Sequence, residues 1–248
     1  MKHQILTVML AGAVAANPIA VLRKREVPQE HAHRNVVLAV NTLLGQNNPD
    51  NIQDAVFGLL GAAAAKNGAG NIADADCLQQ ATADQAFTNA KAAGDVDGMT
   101  SALIFRALER NTGSVGLASV PCASLQAVNP EIAALQQHQD PAGDGAQALN
   151  KQIAEELARQ IASVGGDPAL ANEASTFAPG QVGDPTAKGN TCDDESDEKG
   201  CINTLGLRVD DLTAAEITAA VQGVGASAGR QGNAGNGTQA ASSGCGGV

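Results

Sequence analysis

A punctuation recurs along this chain and constrains its fold more than any other feature. Asn or Asp is followed by Pro, an apolar run of helical period comes next, and Gly ends it. The pairs are Asn48-Pro49, Asn129-Pro130, Asp140-Pro141 and Asp167-Pro168; the stops include Gly68, Gly94, Gly113 and Gly165-Gly166. A short polar side chain accepts the free N–H groups of a first helical turn, and Pro has the backbone angle that turn needs. Gly takes the left-handed conformation that closes a helix. No tract of alternating β-branched residues is present, and Ala, Leu, Gln and Glu are abundant, which favours helix over strand. The pattern predicts an all-α fold: a single irregular bundle of about seven or eight helices. The spacing of the starts is too irregular for a helical repeat.

Period-3.6 runs place the elements. Residues 31–44 read as a helix with Val36, Val37, Val40, Leu43 and Leu44 on one face. A second opens at Asn48-Pro49, carries Ile52, Val56, Leu59 and Leu60, and ends near Lys66. A third covers 75–93, with Leu78, Ala81, Phe87 and Ala90 inward; a fourth covers 96–110, with Met99, Leu103, Ile104 and Leu108. Residues 121–128 form a turn or short helix, and another helix runs from Asn129-Pro130 to about His138. Asp140-Pro141 opens a long segment keyed by Leu149, Ile153, Leu157, Ile161 and Val164. A short helix follows Asp167-Pro168, residues 176–208 read as ordered loop, and Thr213 with Glu216 forms a capping box for a last helix.

The ends of the chain carry addresses. Lys2 followed by the apolar stretch 5–16 fits a signal peptide of residues 1–16, cut after Ala15 or Ala16, and is too short to span a bilayer. The other reading is a buried N-terminal helix. Residues 17–25 then form a short propeptide ending in Lys24-Arg25, a dibasic site of the kind cut by kexin-type proteases, unless Arg23-Lys24-Arg25 is simply a solvated charge run. The expected helical domain is 26–222, and the Gly/Ala/Ser-rich segment 223–248 lacks the apolar content to order itself. That tail holds one glycosylation sequon, at Asn236, and no hydrophobic segment that would support a glycolipid anchor.

Secretion makes the cysteines informative. Of five, Cys192 and Cys201 are close enough to pair locally, which leaves Cys77 with Cys122. Cys245 is left over in the tail, either as an inert thiol or for an intermolecular disulfide. Cleavage after Arg25 removes Lys2, Arg23, Lys24 and Arg25. The mature chain then has 11 basic residues against 26 acidic ones, a net charge of −15 where the full chain has −11. That balance argues against nucleic acid and anionic membrane as partners. Four Phe and no Tyr or Trp argue against a site built on aromatic platforms.

Candidate chemistry is sparse. Asp193, Asp194, Glu195, Asp197 and Glu198, inside the Cys192–Cys201 loop, are hard oxygen ligands suited to calcium, yet they lack the spacing of an EF-hand. The alternative is a solvated acidic loop. His31 and His33 are two residues apart, do not share a helix face, and would bind zinc only from an extended arm. His138, near a helix end, reads as solvated or capping. No nucleophile elbow is present, and no Gly-rich phosphate loop follows a strand. Catalytic and cofactor residues are therefore assigned to none, and no cofactor is expected. Asp and Glu are numerous enough that a carboxylate pair is not excluded by counting.

Several runs carry a resemblance: Asn48-Pro49-Asp50 through Phe57-Gly58-Leu59-Leu60; Cys77-Leu78-Gln79-Gln80-Ala81-Thr82-Ala83-Asp84-Gln85-Ala86-Phe87; Ala107-Leu108-Glu109-Arg110-Asn111-Thr112-Gly113; Asn129-Pro130-Glu131-Ile132; and Asn190-Thr191-Cys192-Asp193-Asp194. Over about residues 28–222 the chain resembles a family of small secreted cell-surface proteins of filamentous ascomycete fungi, some associated with the conidial wall. The resemblance implies a secreted or wall-associated location and supplies no catalytic residues. It points to a non-enzymatic surface or cell-wall protein, with wall components or host proteins as partners. The alternatives are a secreted effector or hydrolase with an unrecognised carboxylate site and, third, a small-ligand carrier.

Overall fold

A computed structural model describes residues 28–225. The expected signal peptide and propeptide with Lys24-Arg25, the Asn236 sequon, Cys245 and the tail from residue 226 lie outside the described residues. Within them the fold is all-α. Its α-helices are α1 (Gln29–Ala32), α2 (Arg34–Leu44), α3 (Ala62–Ala65), α4 (Leu78–Ala93), α5 (Val96–Ala107), α6 (Pro130–Ala133), α7 (Ala146–Ser163), α8 (Cys201–Thr204) and α9 (Ala214–Ala220). Four 3-10 segments join them, at Ala55–Leu59, Lys66–Gly68, Ala75–Cys77 and Pro168–Ala174. The only β-type pairing among the described residues is a bridge between Phe177 and Arg208.

The four long helices form where the periodicity placed them. α4 packs on α2 and α5, α5 on α7, and α7 on the 168–174 turn and α9. Their shared core holds Val36, Val40, Leu78, Phe87, Leu103, Phe105, Ile153, Leu157 and Ile161. Buried Ala81, Ala83, Ala86, Ala90 and Ala102 lie beside the two fully buried rings, Phe87 and Phe105, so small side chains make up much of the α4 and α5 interior. α4 ends at Gly94, whose φ of 68° is the left-handed value that disfavours any residue with a Cβ. A side chain at Gly68 would lie 2.0 Å from the Phe57 ring, so this glycine is what admits the ring. Asp95, Asp167 and Thr213 cap their helices as their sequences suggest, Thr213 with the full capping box. No helix among the described residues is long and apolar enough to cross a membrane.

Elsewhere the fold departs from the periodicity. The first helix breaks at His33 into α1 and α2. Asn48 caps nothing; its amide grips both the N–H and the C=O of Ile52, four residues on, and the second helix dissolves into 3-10 turns and α3. Asn129 also caps nothing, because its amide is turned onto Asp84 and Thr88 of α4, and α6 lasts one turn. α5 stops at Ala107 rather than 110, and residues 108–111 run on as buried irregular backbone.

Two disulfides tie down the loops, Cys77–Cys122 and Cys192–Cys201, 45 and 9 residues apart in sequence. Loop-closure entropy assigns about 4 kcal/mol to the longer and about 3 kcal/mol to the shorter. Urea denaturation of the Cys77→Ser/Cys122→Ser and Cys192→Ser/Cys201→Ser pairs is expected to show losses in that order. The reverse order would mean that native packing, not chain closure, sets their value.

Candidate functional site

The acidic loop does not assemble a cation cage. Asp194 Oδ1 accepts from the N–H and hydroxyl of Ser196 at 2.9 and 2.7 Å, which holds its carboxyl below the usual range. Asp197 accepts from the Lys199 N–H at 3.0 Å, and Asp193 faces His31 Nδ1 at 2.5 Å. Glu195 and Glu198 are exposed. These carboxylates are spent on local turns and one imidazole. Among the described residues no group of three or more His, Cys, Asp or Glu is placed to hold a metal ion.

The two N-terminal histidines are likewise kept apart. His31 is half-exposed beside Asp193. His33 is buried, with Nε2 3.3 Å from the Ser175 carbonyl; its pKa is lowered to about 4, chiefly because burial disfavours the charged ring. His138 is fully buried, which corrects the solvated reading, and it bonds the last carbonyl of α5, which agrees with the capping one. Its Nδ1 lies 2.6 Å from the Ala107 carbonyl and its Nε2 3.2 Å from Asp211 Oδ2. Ser175 donates to the same Asp211 oxygen at 2.6 Å. Burial pushes the Asp211 carboxyl up, but the hydrogen bond and charge of His138 and the Ser175 hydroxyl together hold it below its usual value. Serine, aspartate and histidine meet here in an order that activates no nucleophile. The carboxylate sits between the other two, so the imidazole does not reach the hydroxyl. What the trio does is anchor residues 209–212 on the core, with Asn172 clamping Leu212 from the other side.

One carboxyl has the properties of a catalytic acid, and sequence reasoning missed it. Glu109, within the last turn of the helix expected over 96–110, is buried just past α5. Burial raises its pKa to about 8; the Asp140 charge adds to the rise, and a hydrogen bond from Thr176 at 2.7 Å opposes it. The space it shares with Asp140, Thr176, Gly180 and Asn190 is about 10 Å³, room for roughly one water. No sugar ring or peptide enters it.

Open space lies elsewhere. α4 presents Ala81, Asp84, Gln85 and Thr88 at helical spacing to a groove of about 590 Å³, walled by residues 71–74 and 124–128. Its shape is fixed by hydrogen bonds. Asp84 accepts from the N–H groups of Val128 and Asn129 at 2.6 and 3.0 Å. Asp74 accepts from the Ser124 hydroxyl at 2.5 Å and the Asp76 N–H, which holds its carboxyl below the usual range. Gln80 reaches the Leu125 carbonyl at 2.8 Å, and the Cys77–Cys122 bond closes the same wall. The lining combines Asp50, Asp74 and Asp84 with Ile72, Leu125 and Val128, and includes no Lys, Arg or Phe. A second depression, of about 420 Å³, covers the start of α7 and contains Asp140 and Asp144, which offset the positive end of that helix. The 590 Å³ groove is thus a preformed recess suited to an apolar group carrying positive charge.

Two measurements follow. The folded protein keeps the Glu109 proton between pH 4.5 and 8, while the unfolded chain loses it, so this group's contribution falls as pH rises through that window, by at most about 1.4 kcal/mol per unit. His33 acts in the opposite sense, its contribution falling as pH drops from 6.5 towards 4. Glu109→Gln is expected to gain stability over wild type at pH 8 and none at pH 4.5; parallel curves would refute the buried neutral acid. Millimolar calcium is expected to leave the melting temperature unchanged, and a rise of several degrees would show the acidic loop closing on the ion. No known protein family, curated protein or solved structure matches this chain.

Proposed function

We propose that the chain is a non-enzymatic secreted protein of the cell surface or cell wall that recognises cationic, apolar groups at a host or wall interface. The observation that carries this reading is the contrast between its sites. Among the described residues the one acid with a strongly raised pKa is sealed beside a space of about 10 Å³, while the 590 Å³ recess has carboxylates used as fixed hydrogen-bond acceptors. A site that orders its carboxylates in this way favours binding over proton transfer. The signal-peptide pattern, the two disulfides and the acidic balance support an oxidising extracellular location. The resemblance to ascomycete surface proteins supports the wall.

The hydrolase reading has one point in its favour, the proximity of Glu109 and Asp140, and would need the 176–190 segment to lift away from them.

Fractionation of tagged protein among medium, wall and cell interior tests the proposal. Recovery from the wall or medium, with N-terminal sequence starting at Glu26, is the expected result. Retention inside the cell would refute secretion, and a start at Ala16 or Asn17 would refute the second cut. Release of wall-bound protein by reductant is expected if Cys245 forms intermolecular bonds.

A further inference from the structure

We propose that the 590 Å³ groove is the docking site of the chain's own residues 17–25, and that cleavage after Arg25 uncovers it. The proposal rests on the secreted-precursor reading for its biology and on the groove for its physics.

No cation among the described residues touches the groove's carboxylates directly; Arg110, paired to Asp76, acts on Asp74 only at a distance. Among the described residues no Lys or Arg forms an ion pair with Asp50, Asp74 or Asp84, although all three line one recess. Their hydrogen bonds come from backbone N–H groups, a serine and an asparagine, which orient the carboxylates without neutralising them. The same recess exposes apolar surface: Leu125 is 40 % exposed and Val128 84 %. A cover for it would be apolar and would end in cations.

The sequence holds one segment of that description. Asn17-Pro18 is followed by Ile19-Ala20-Val21-Leu22 and then by Arg23-Lys24-Arg25. Four apolar residues match Ile72, Leu125 and Val128, and three cations match three carboxylates. Pro18 also favours the extended backbone that a groove-bound strand needs.

The segment is tethered on the right flank. The Gln29 N–H donates to Asn111 Oδ1 at 2.9 Å, and the neighbouring Arg110 grips Asp76 Oδ1 at 3.1 Å and the Val120 carbonyl at 2.9 Å. Asp76 is two residues from Asp74 of the lining, and Val120 is two from Cys122, which is bonded to Cys77 of the lining. An extended chain covers about 3.3 Å per residue, so positions three to nine residues before Pro28 reach roughly 10–30 Å. Tethering also gives a weak contact a millimolar effective concentration. Hydrolysis of the Arg25–Glu26 bond, with water as co-reactant and a protease specific for paired basic residues, removes that advantage. It also leaves a carboxylate on Arg25 beside an acidic groove. Both changes favour release.

The test uses the precursor, residues 17–248, labelled with nitrogen-15 and cut in vitro by such a protease. The amide resonances of Thr88, Ser124 and Val128 are expected to shift on cleavage. They are expected to return when a C-terminally amidated peptide of residues 17–25 is added at low salt. Peptide affinity is expected to weaken at least tenfold in 0.5 M salt and in Asp50→Asn/Val128→Asp, two positions outside the buried core. Shifts confined to other surfaces, no response to the peptide, or affinity untouched by the double variant would each overturn the proposal. Whether secreted material begins at Glu26 is read separately by N-terminal sequencing, so a failure of the secretion reading leaves the groove result standing.

Discussion

Asn111 holds together parts of this molecule that helical packing alone would leave separate. Its side-chain oxygen accepts the Gln29 N–H, its amide donates to Glu30 at 2.6 Å, and its backbone N–H donates to the Leu59 carbonyl at 2.8 Å. Gln29 passes the connection to Thr176 at 3.1 Å, and Thr176 passes it to Glu109 at 2.7 Å. Three segments distant in sequence, 29–30, 109–111 and 175–177, are thereby closed into one buried ring. None of these groups can return to water without opening the others, and an unpaired buried polar group costs roughly 1–3 kcal/mol. The irregular backbone after α5 exists because this ring satisfies it.

The same constraint explains the character of the interior. With four Phe and no Tyr or Trp, the chain cannot fill wide gaps between elements with rings. It brings helices close through Ala and lets Gln and Asn bridge the remainder. Gln79 donates to the carbonyls of Phe105, in the last turn of α5, and Leu108, just past it; Asn89 donates to the carbonyls of Leu43, in the last turn of α2, and Asn47 beyond it. These amides are helix C-caps supplied from another helix. Arg106, buried against Gln80 and Gln137 without a carboxylate, shows the cost: burial, with Arg110 adding to it, lowers its pKa to about 10. A polar interior of this kind specifies geometry more strictly than an oily one, because each amide has few acceptable partners.

The groove is a by-product of that logic put to use. Its floor is a face of α4, but its outer wall is loop, and loops hold shape only when their backbone is satisfied. Asp74 and Asp84 do this work while keeping their charge turned to the recess. The residues that give the site its shape also give it its electrostatics.

Local pattern was enough for local elements. The spacing of apolar residues placed α2, α4, α5 and α7, and their inward faces, because a buried stripe at period 3.6 needs only neighbouring residues to be recognised. Gly94, Asp167 and the Thr213–Glu216 box ended or began helices because capping satisfies the chain's own first or last turn. The near spacing of Cys192 and Cys201 anticipated the two bonds present. Side chains that choose distant partners lie beyond any local pattern. Asn48 and Asn129 looked like caps, but an amide serves whichever N–H or C=O is nearest in space, and Asn129 found Asp84, 45 residues away. The burial of His138 and Glu109 left no mark in the sequence, because burial is not a property of a residue's neighbours in sequence. Asp74 and Asp84 came to one groove through Ser124, Val128 and Asn129, contacts across 44–50 residues that no local pattern encodes.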